Sequence, residues 1–416
     1  MSNAKTLKGL TLADLETMAL ESNPTLDQLA AVVEKARGIR DQSDRYPNPV
    51  VGYNGTEIGN EGAAGQQGAF VSQTIVTGDK LRLNRHVASW NIQEMSWAYQ
   101  VQKYRVLNDV RLQFYDLLGA QKRLEITARL MKVAQNGLKI ARQLKEAKQA
   151  AQADVLMARR ELNLVRILQQ NAEFDRQTAW KRLTLVLGRP NLAMQDIQGA
   201  LSGSVRKWNW EATSQRLLEE SPQLESARAR VQGARTAIQR QEVQTVPNVL
   251  AQLGVAYDAS TRDPIANVQV GVPLPLYNKN RGNIRLAHGE YQRAIRNVER
   301  LELQLRDQLA IAFRQFQQAQ FQVNLYETSI LKDVAENLRL TEASYEAGQV
   351  NFTRVLTARR AFFESNLKYV DALIALQKAN VILNGFVLTG GLTDVPDIGS
   401  RALSGAGQRG QALSGQ

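Results

Sequence analysis

Pro47-Asn48 recurs as Pro247-Asn248, and Val155-Leu156-Met157-Ala158-Arg159-Arg160 recurs as Val355-Leu356-Thr357-Ala358-Arg359-Arg360. Both recurrences are spaced by 200 residues, so helical and strand-like stretches fall in the same order in each half. The chain therefore reads as a duplicated unit of very long helices around a short β-hairpin. Such a unit cannot bury its own apolar faces and needs neighbours.

Proline placement sets the helix lengths. The ten prolines lie at 24, 47, 49, 190, 222, 247, 264, 273, 275 and 396, leaving 50–189 and 276–395 without any. A proline removes a helix hydrogen bond and clashes with the preceding turn, so these gaps permit helices of unusual length. The first helix is expected from Thr11 to about Asp44, with Thr11 and Asp14 at its cap. Val50–Thr56 and Ala69–Val76 read as strands, with Gly59, Gly62, Gly65 and Gly68 in the loop between them. Asp79 to about Gln149 reads as one helix of roughly 105 Å. Gly119 and Gly137 inside it each cost about 1 kcal/mol relative to alanine. After a turn at Ala150–Ala153, Asp154–Leu187 returns and Gly188-Arg189-Pro190 stops it.

The second half repeats the scheme with a helix from Trp210 to Thr245, strands Asn248–Tyr257 and Asn267–Leu276, and a long helix from Asn280 to Ala347. A turn at Gly348-Gln349-Val350-Asn351 leads into a return helix, Phe352–Leu388. The organisation is thus repeat 1 over 11–190 with its hairpin at 48–76, a connector over 191–210, and repeat 2 over 211–392 with its hairpin at 248–276. The tail 393–416, rich in Gly, Ser, Ala and Gln, is expected to be disordered.

Composition narrows the function classes. No stretch approaches the 18 apolar residues of a membrane-spanning helix, and mean hydropathy is −0.34. Cysteine is absent, which excludes disulfides and thiolate metal sites. The net charge of +12 is spread along helices without a compact basic, aromatic-interleaved cluster, so nucleic acid is not an expected partner. His86 and His288 do not occupy equivalent repeat positions, and no glycine-rich phosphate loop joins a strand to a helix. Neither an enzyme, nor a cofactor, nor a bound metal is expected. The opening Met1-Ser2-Asn3-Ala4 reads as an expression-vector scar, so a native leader, with any lipid-bearing cysteine, is expected upstream.

The strands carry the sharpest signal. Val249, Leu253, Val255 and Tyr257 alternate with polar or small residues, as do Val268, Val270 and Val272 in the next strand. Apolar on one face and polar on the other matches the lipid-facing strands of a membrane barrel, and equally a half-buried hairpin. A lipid-embedded sheet must have no open edge. Four strands cannot close, since barrels begin at about eight, so several chains must contribute, and three give twelve. The long helices must likewise pack side by side. The competing reading is a soluble coiled-coil scaffold whose hairpins pack on protein.

Here the chain resembles the TolC-like outer membrane efflux proteins over about residues 10–392. The resemblance rests on the duplication, on Glu21-Ser22-Asn23-Pro24, Gln73-Thr74-Ile75-Val76-Thr77-Gly78 and Tyr345-Glu346-Ala347-Gly348, and on Val355-Leu356-Thr357-Ala358-Arg359. It implies a mostly α chain with a membrane β-barrel: a homotrimer with a twelve-stranded barrel in outer membrane lipid and a periplasmic α-helical tunnel. It also implies a periplasmic adaptor and an inner-membrane pump as partners, which open the closed periplasmic end. The stretch Gln73–Arg85 looks like the heavy-metal efflux branch.

The resemblance further implies that the turns at the tunnel end contact the adaptor, giving Lys148, Gly348, Gln349 and Val350 as candidates. Lys148 stands where the family usually has a glycine, which puts the tip geometry of repeat 1 in question. Asp154 and Arg354 share one repeat position; their pairing is expected to help hold the entrance shut. The acidic pattern that members often carry near Arg354 and Thr357 is absent here. Arg159 and Arg359, with the arginine after each, are candidates for inter-helix ion pairs at the closed end; the alternative is solvated stems.

Overall fold

The computed structural model describes residues 9–62, 64–203 and 206–393. Helix α1 (Leu12–Ser22) is capped by Thr11, whose Oγ accepts the Asp14 N–H at 3.3 Å while the Asp14 carboxylate accepts the Thr11 N–H at 2.9 Å. The helix expected over 11–44 is two, α1 and α2 (Pro24–Ser43). Proline pushes the residue before it out of the helical region, and Asn23 is extended at φ −78°, ψ 117°. Its buried amide donates to the Val186 carbonyl at 2.7 Å and accepts the Thr25 N–H at 3.0 Å. The same correction applies in repeat 2: Ser221 is extended before Pro222, splitting the expected helix into α5 (Trp210–Glu220) and α6 (Pro222–Glu242).

The chain forms two compact units. One holds residues of 28–100 and 222–302 and contains the sheet. Strands β1 (Val50–Thr56), β2 (Gln66–Ile75), β3 (Val249–Asp258) and β4 (Pro264–Gly271) pair antiparallel in that order. β2 starts three residues before the expected Ala69 and takes in Gly68. β4 lies earlier than the expected 267–276. Its last residue, Gly271, pairs with Leu250 at the start of β3, leaving Val272 and the prolines that follow outside the strand. In the same unit, Met95 of the helix that follows β2 packs with Val33 and Ala36 of α2. Lys80 donates to the Val246 carbonyl and, at 2.6 Å, to the Asn248 side chain.

The other unit holds, among the described residues, 9–27, 101–203, 206–221 and 303–393. Its framework is the helix pair formed by α3 (Lys80–Glu146), from Val101 onward, and α4 (Gln152–Val186), with the end of α7 (Arg281–Leu325), α8 (Leu331–Glu346) and α9 (Phe352–Asn384). The second long helix is not regular: a π-helical turn, Tyr326–Ile330, separates α7 from α8. α9 stops four residues before the expected 388, because Phe386 and Val387 adopt positive φ while the fully buried Asn108 amide holds the Gly385 and Leu388 carbonyls at 2.9 and 2.8 Å. The connector is pinned: Trp180 donates to the Leu192 carbonyl at 3.1 Å and Gln377 to the Leu201 carbonyl at 2.9 Å. The expected disordered tail lies, from residue 394, outside the described residues.

Candidate functional site

Two features stand out, one in each unit. On the sheet, Val51, Val71, Leu253 and Val268 form one cross-strand row, and Tyr53, Ala69, Val255 and Ala266 the next but one. Successive side chains point to opposite faces, so these rows, with Val249, Tyr257 and Val270, share one face. It is open: Val51 is 75%, Leu253 58%, Val255 69% and Val268 72% exposed. Val272, expected on this face, is exposed beyond the end of β4.

The opposite face carries Ser72, Gln252 and Gln269 in one row. In the adjacent row Phe70 lies between Gly52 and Gly254. A Cβ on Gly52 would sit 2.6 Å from the Phe70 ring, so the ring covers the glycine backbone. Among the described residues, nothing pairs with the outer edges of β1 and β4. An apolar sheet face with two open edges is incomplete in water.

The second feature is the pair of hairpin turns joining α3 to α4 and α8 to α9. Each closes the same way: Gln149 N–H bonds the Leu144 carbonyl at 2.8 Å, and Gln349 N–H the Ser344 carbonyl at 2.9 Å. This six-to-one bond requires a left-handed residue just past the helix. Gly348 provides it at φ 73° and Lys148 at φ 59°. The departure at Lys148 thus leaves the repeat 1 turn unchanged in shape.

The N-caps divide their work between the repeats. The Asp154 carboxylate accepts the Ala151 N–H at 3.0 Å, while the Asn351 side chain accepts the Arg354 N–H at 3.2 Å. Within one chain Asp154 and Arg354 form no ion pair among the described residues, so the expected pairing is not made inside this unit. Thr357 is exposed and its hydroxyl donates to the Thr353 carbonyl at 3.0 Å.

The duplicated segment divides by face. Val155, Ala158, Val355 and Ala358 are buried. Arg359 reaches Glu342 of α8 at 2.7 Å and Arg360 reaches Glu161 of α4 at 2.6 Å. Arg159 is exposed, with no acidic partner among the described residues. Sequence reading named the arginines and missed Glu161 and Glu342; Glu161, directly after the repeated segment, was the available signal. Arg359 and Arg360 rim an apolar groove of about 380 Å³ between α3, α4 and α9.

Near the π-helical turn, the Tyr369 hydroxyl donates to Glu327 at 2.6 Å. Burial and that carboxylate push the phenol up to about 12. No three His, Asp or Glu side chains converge as a metal site among the described residues.

The model of the family described as "Outer membrane efflux protein" matches residues 15–189 and 213–386. The chain belongs to this family. The chain is 24% identical to the cobalt-zinc-cadmium resistance protein CzcC of Cupriavidus metallidurans over 272 residues, 64% of this chain. That match spans 65% of the relative's own length, just under two thirds. The fold is also that of solved channel proteins. CusC superposes with a TM-score of 0.76 at 18% identity, over 91% of this chain and 92% of that one. The outer membrane protein VceC of Vibrio cholerae gives 0.74 at 14% identity, over 91% and 96%. As a family member, the chain has the TolC-like, mostly helical fold with a small sheet.

Proposed function

We propose that this chain is a passive exit duct of the outer membrane, opened from the periplasm by an adaptor and an inner-membrane pump. The observation that carries the reading is the four-stranded sheet with one exposed apolar face and two open edges. An unpaired backbone group in hydrocarbon costs several kcal/mol, so the sheet can meet lipid only if copies join edge to edge. Three copies supply twelve strands, and the apolar rows of Val51, Val71, Leu253 and Val268 then face lipid while Ser72, Gln252 and Gln269 face water. The long helices of the same three copies would form the tunnel wall.

In this reading the turns at Lys148 and at Gly348, Gln349 and Val350 contact the adaptor. Asp154, Arg354, Thr357, Arg159 and Arg359 lie near the closed end, where Asp154 and Arg354 pair between neighbouring copies. The likeness to a cobalt-zinc-cadmium resistance protein supports metal cations as cargo.

The test is single-channel recording after insertion of the purified chain into a planar bilayer. Discrete conductance steps support the duct. A chain that stays soluble without detergent and gives no steps overturns it in favour of a coiled-coil scaffold. For the gate, Arg354→Ala should raise the open fraction; conductance equal to the parent's removes the gate assignment and leaves the duct standing.

A further inference from the structure

The two hairpin turns share a backbone and differ in charge. Around the first, Lys139, Arg142, Lys145 and Lys148 are all exposed, and none meets an acidic side chain among the described residues. Their duplicates 200 positions on are different: Arg339 is paired to Glu336 at 2.7 Å, and Glu342 is an acid paired to Arg359. Tyr345 packs on the Phe352 ring at 5.8 Å, and Gly348 has no side chain. Duplication kept the shape of the turn while one copy holds a line of unpaired cations.

Lys148 adds a second observation. It occupies a left-handed backbone position that its own duplicate fills with glycine. A side chain there costs roughly 1–2 kcal/mol. Unfavourable backbone of this kind persists where the side chain does a job. Among the described residues the Lys148 side chain makes no hydrogen bond or ion pair that would stabilise the turn itself, and it is exposed.

Resting on the exit-duct reading, in which both turns meet the adaptor, we propose that the α3/α4 hairpin end takes a partner helix rich in acidic residues, and that the α8/α9 end makes its contact without that charge match. Lys139 to Lys145 spans about 9 Å along the helix, nearly two turns, with Lys148 just past its end. That length suits carboxylates spaced at three and four residues along a partner helix, the pattern that sets pairing between helices. Residues 139–150 contain no aromatic side chain on which nucleic-acid bases could stack. Exposed apolar anchors for a lipid surface are limited there to Ile140. In an assembly of three copies, basic and uncharged turns would alternate around the end, so a partner would meet two unlike kinds of groove.

The test uses the full chain in neutral detergent and fluorescence anisotropy with three labelled probes. These are a helical peptide about three heptads long with glutamate at the flanking positions, the same peptide with lysine there, and a DNA duplex of about 20 base pairs. The acidic peptide should bind, and the quadruple variant Lys139→Glu, Arg142→Glu, Lys145→Glu, Lys148→Glu should weaken it at least tenfold and gain affinity for the lysine peptide. Lys332→Glu with Arg339→Glu, on the second hairpin, should change the acidic peptide's affinity less than twofold. Equal loss from both variants, no loss from the first, or equally tight binding of the duplex through the same four residues overturns the proposal. Conductance separates this from the duct reading. A parent that opens channels while the quadruple variant keeps full peptide affinity sinks only the docking surface; a parent without channels sinks the duct.

Discussion

Two glycines inside α3 should respond to alanine with opposite sign. Both sit in a regular helix, where alanine is favoured over glycine by about 1 kcal/mol. At Gly137 nothing opposes that gain: an added Cβ would lie 3.7 Å from Arg359 Nη1 and 3.9 Å from Phe352 Cζ, ordinary contact distances. Gly137→Ala is therefore expected to stabilise by about 1 kcal/mol. At Gly119 the added carbon would fall 2.1 Å from Ile374 Cδ1 and 2.7 Å from its Cγ1. Ile374 is 6% exposed on α9 and β-branched, so it has little room to turn away. Overpacking of this kind costs about 1–3 kcal/mol, leaving Gly119→Ala a net loss of about 1 kcal/mol. The assay is helix melting by far-ultraviolet circular dichroism in detergent, with both variants beside the parent. Where unfolding is irreversible, inactivation rates at one temperature replace midpoints. The expected order is Gly137→Ala above parent above Gly119→Ala. A rise in both variants would refute the close α3–α9 approach at Gly119, and a fall in both would refute the open space at Gly137.

Three further outcomes follow from the geometry. Gly348→Val should destabilise the second turn by about 1–2 kcal/mol because a β-branched residue resists the left-handed conformation, whereas Lys148→Gly should relieve about 1 kcal/mol at the first; limited proteolysis at each turn reads both, and faster cleavage in Lys148→Gly would contradict the shared geometry. Tyr369 should titrate near 12, seen as a component of the ultraviolet phenolate titration that Tyr369→Phe removes. Because that value is raised above the ordinary 10, the hydrogen bond to Glu327 contributes below pH 10 and is lost as pH climbs through about 12; a missing component near 10 instead would dismiss it. Leu253→Lys on the apolar sheet face should cost about 2–4 kcal/mol if that face lies mid-bilayer, reducing the heat-resistant oligomer on gels, while Gln252→Lys on the other face should leave it unchanged.

The fold was legible where local chemistry and tertiary context agree. Proline-free spans gave α3, α4 and α9 to within a few residues at most ends, and period-two alternation gave β3. The reading failed where one residue outweighed a long pattern. Pro24 and Pro222 split helices whose apolar spacing continues through them. β4 was displaced because its ladder with β3 ends at Gly271 opposite Leu250, just before Val272 and the prolines at 273 and 275, which cannot donate to a sheet. The π-helical turn at Tyr326–Ile330 left no sequence signature.

At the hairpin turns, the candidate residues were readable from the duplication, but their partners were not. Glu161 and Glu342 face Arg360 and Arg359 across helices, a relation that spacing along one helix does not encode. Lys148 looked like a departure from the turn because residue type alone argues against a left-handed backbone there. The structure keeps the turn and places the cost on the lysine.

The central claim is that open sheet edges force copies of this chain to share one barrel. Light scattering on the detergent-solubilised protein, with the detergent mass subtracted, tests it most directly. The account gives a protein mass of three chains of 46.4 kDa inside a substantial detergent belt. A detergent-free monomer or dimer that remains soluble would contradict it, because the exposed face of Val51, Leu253, Val255 and Val268 would then have no lipid to meet.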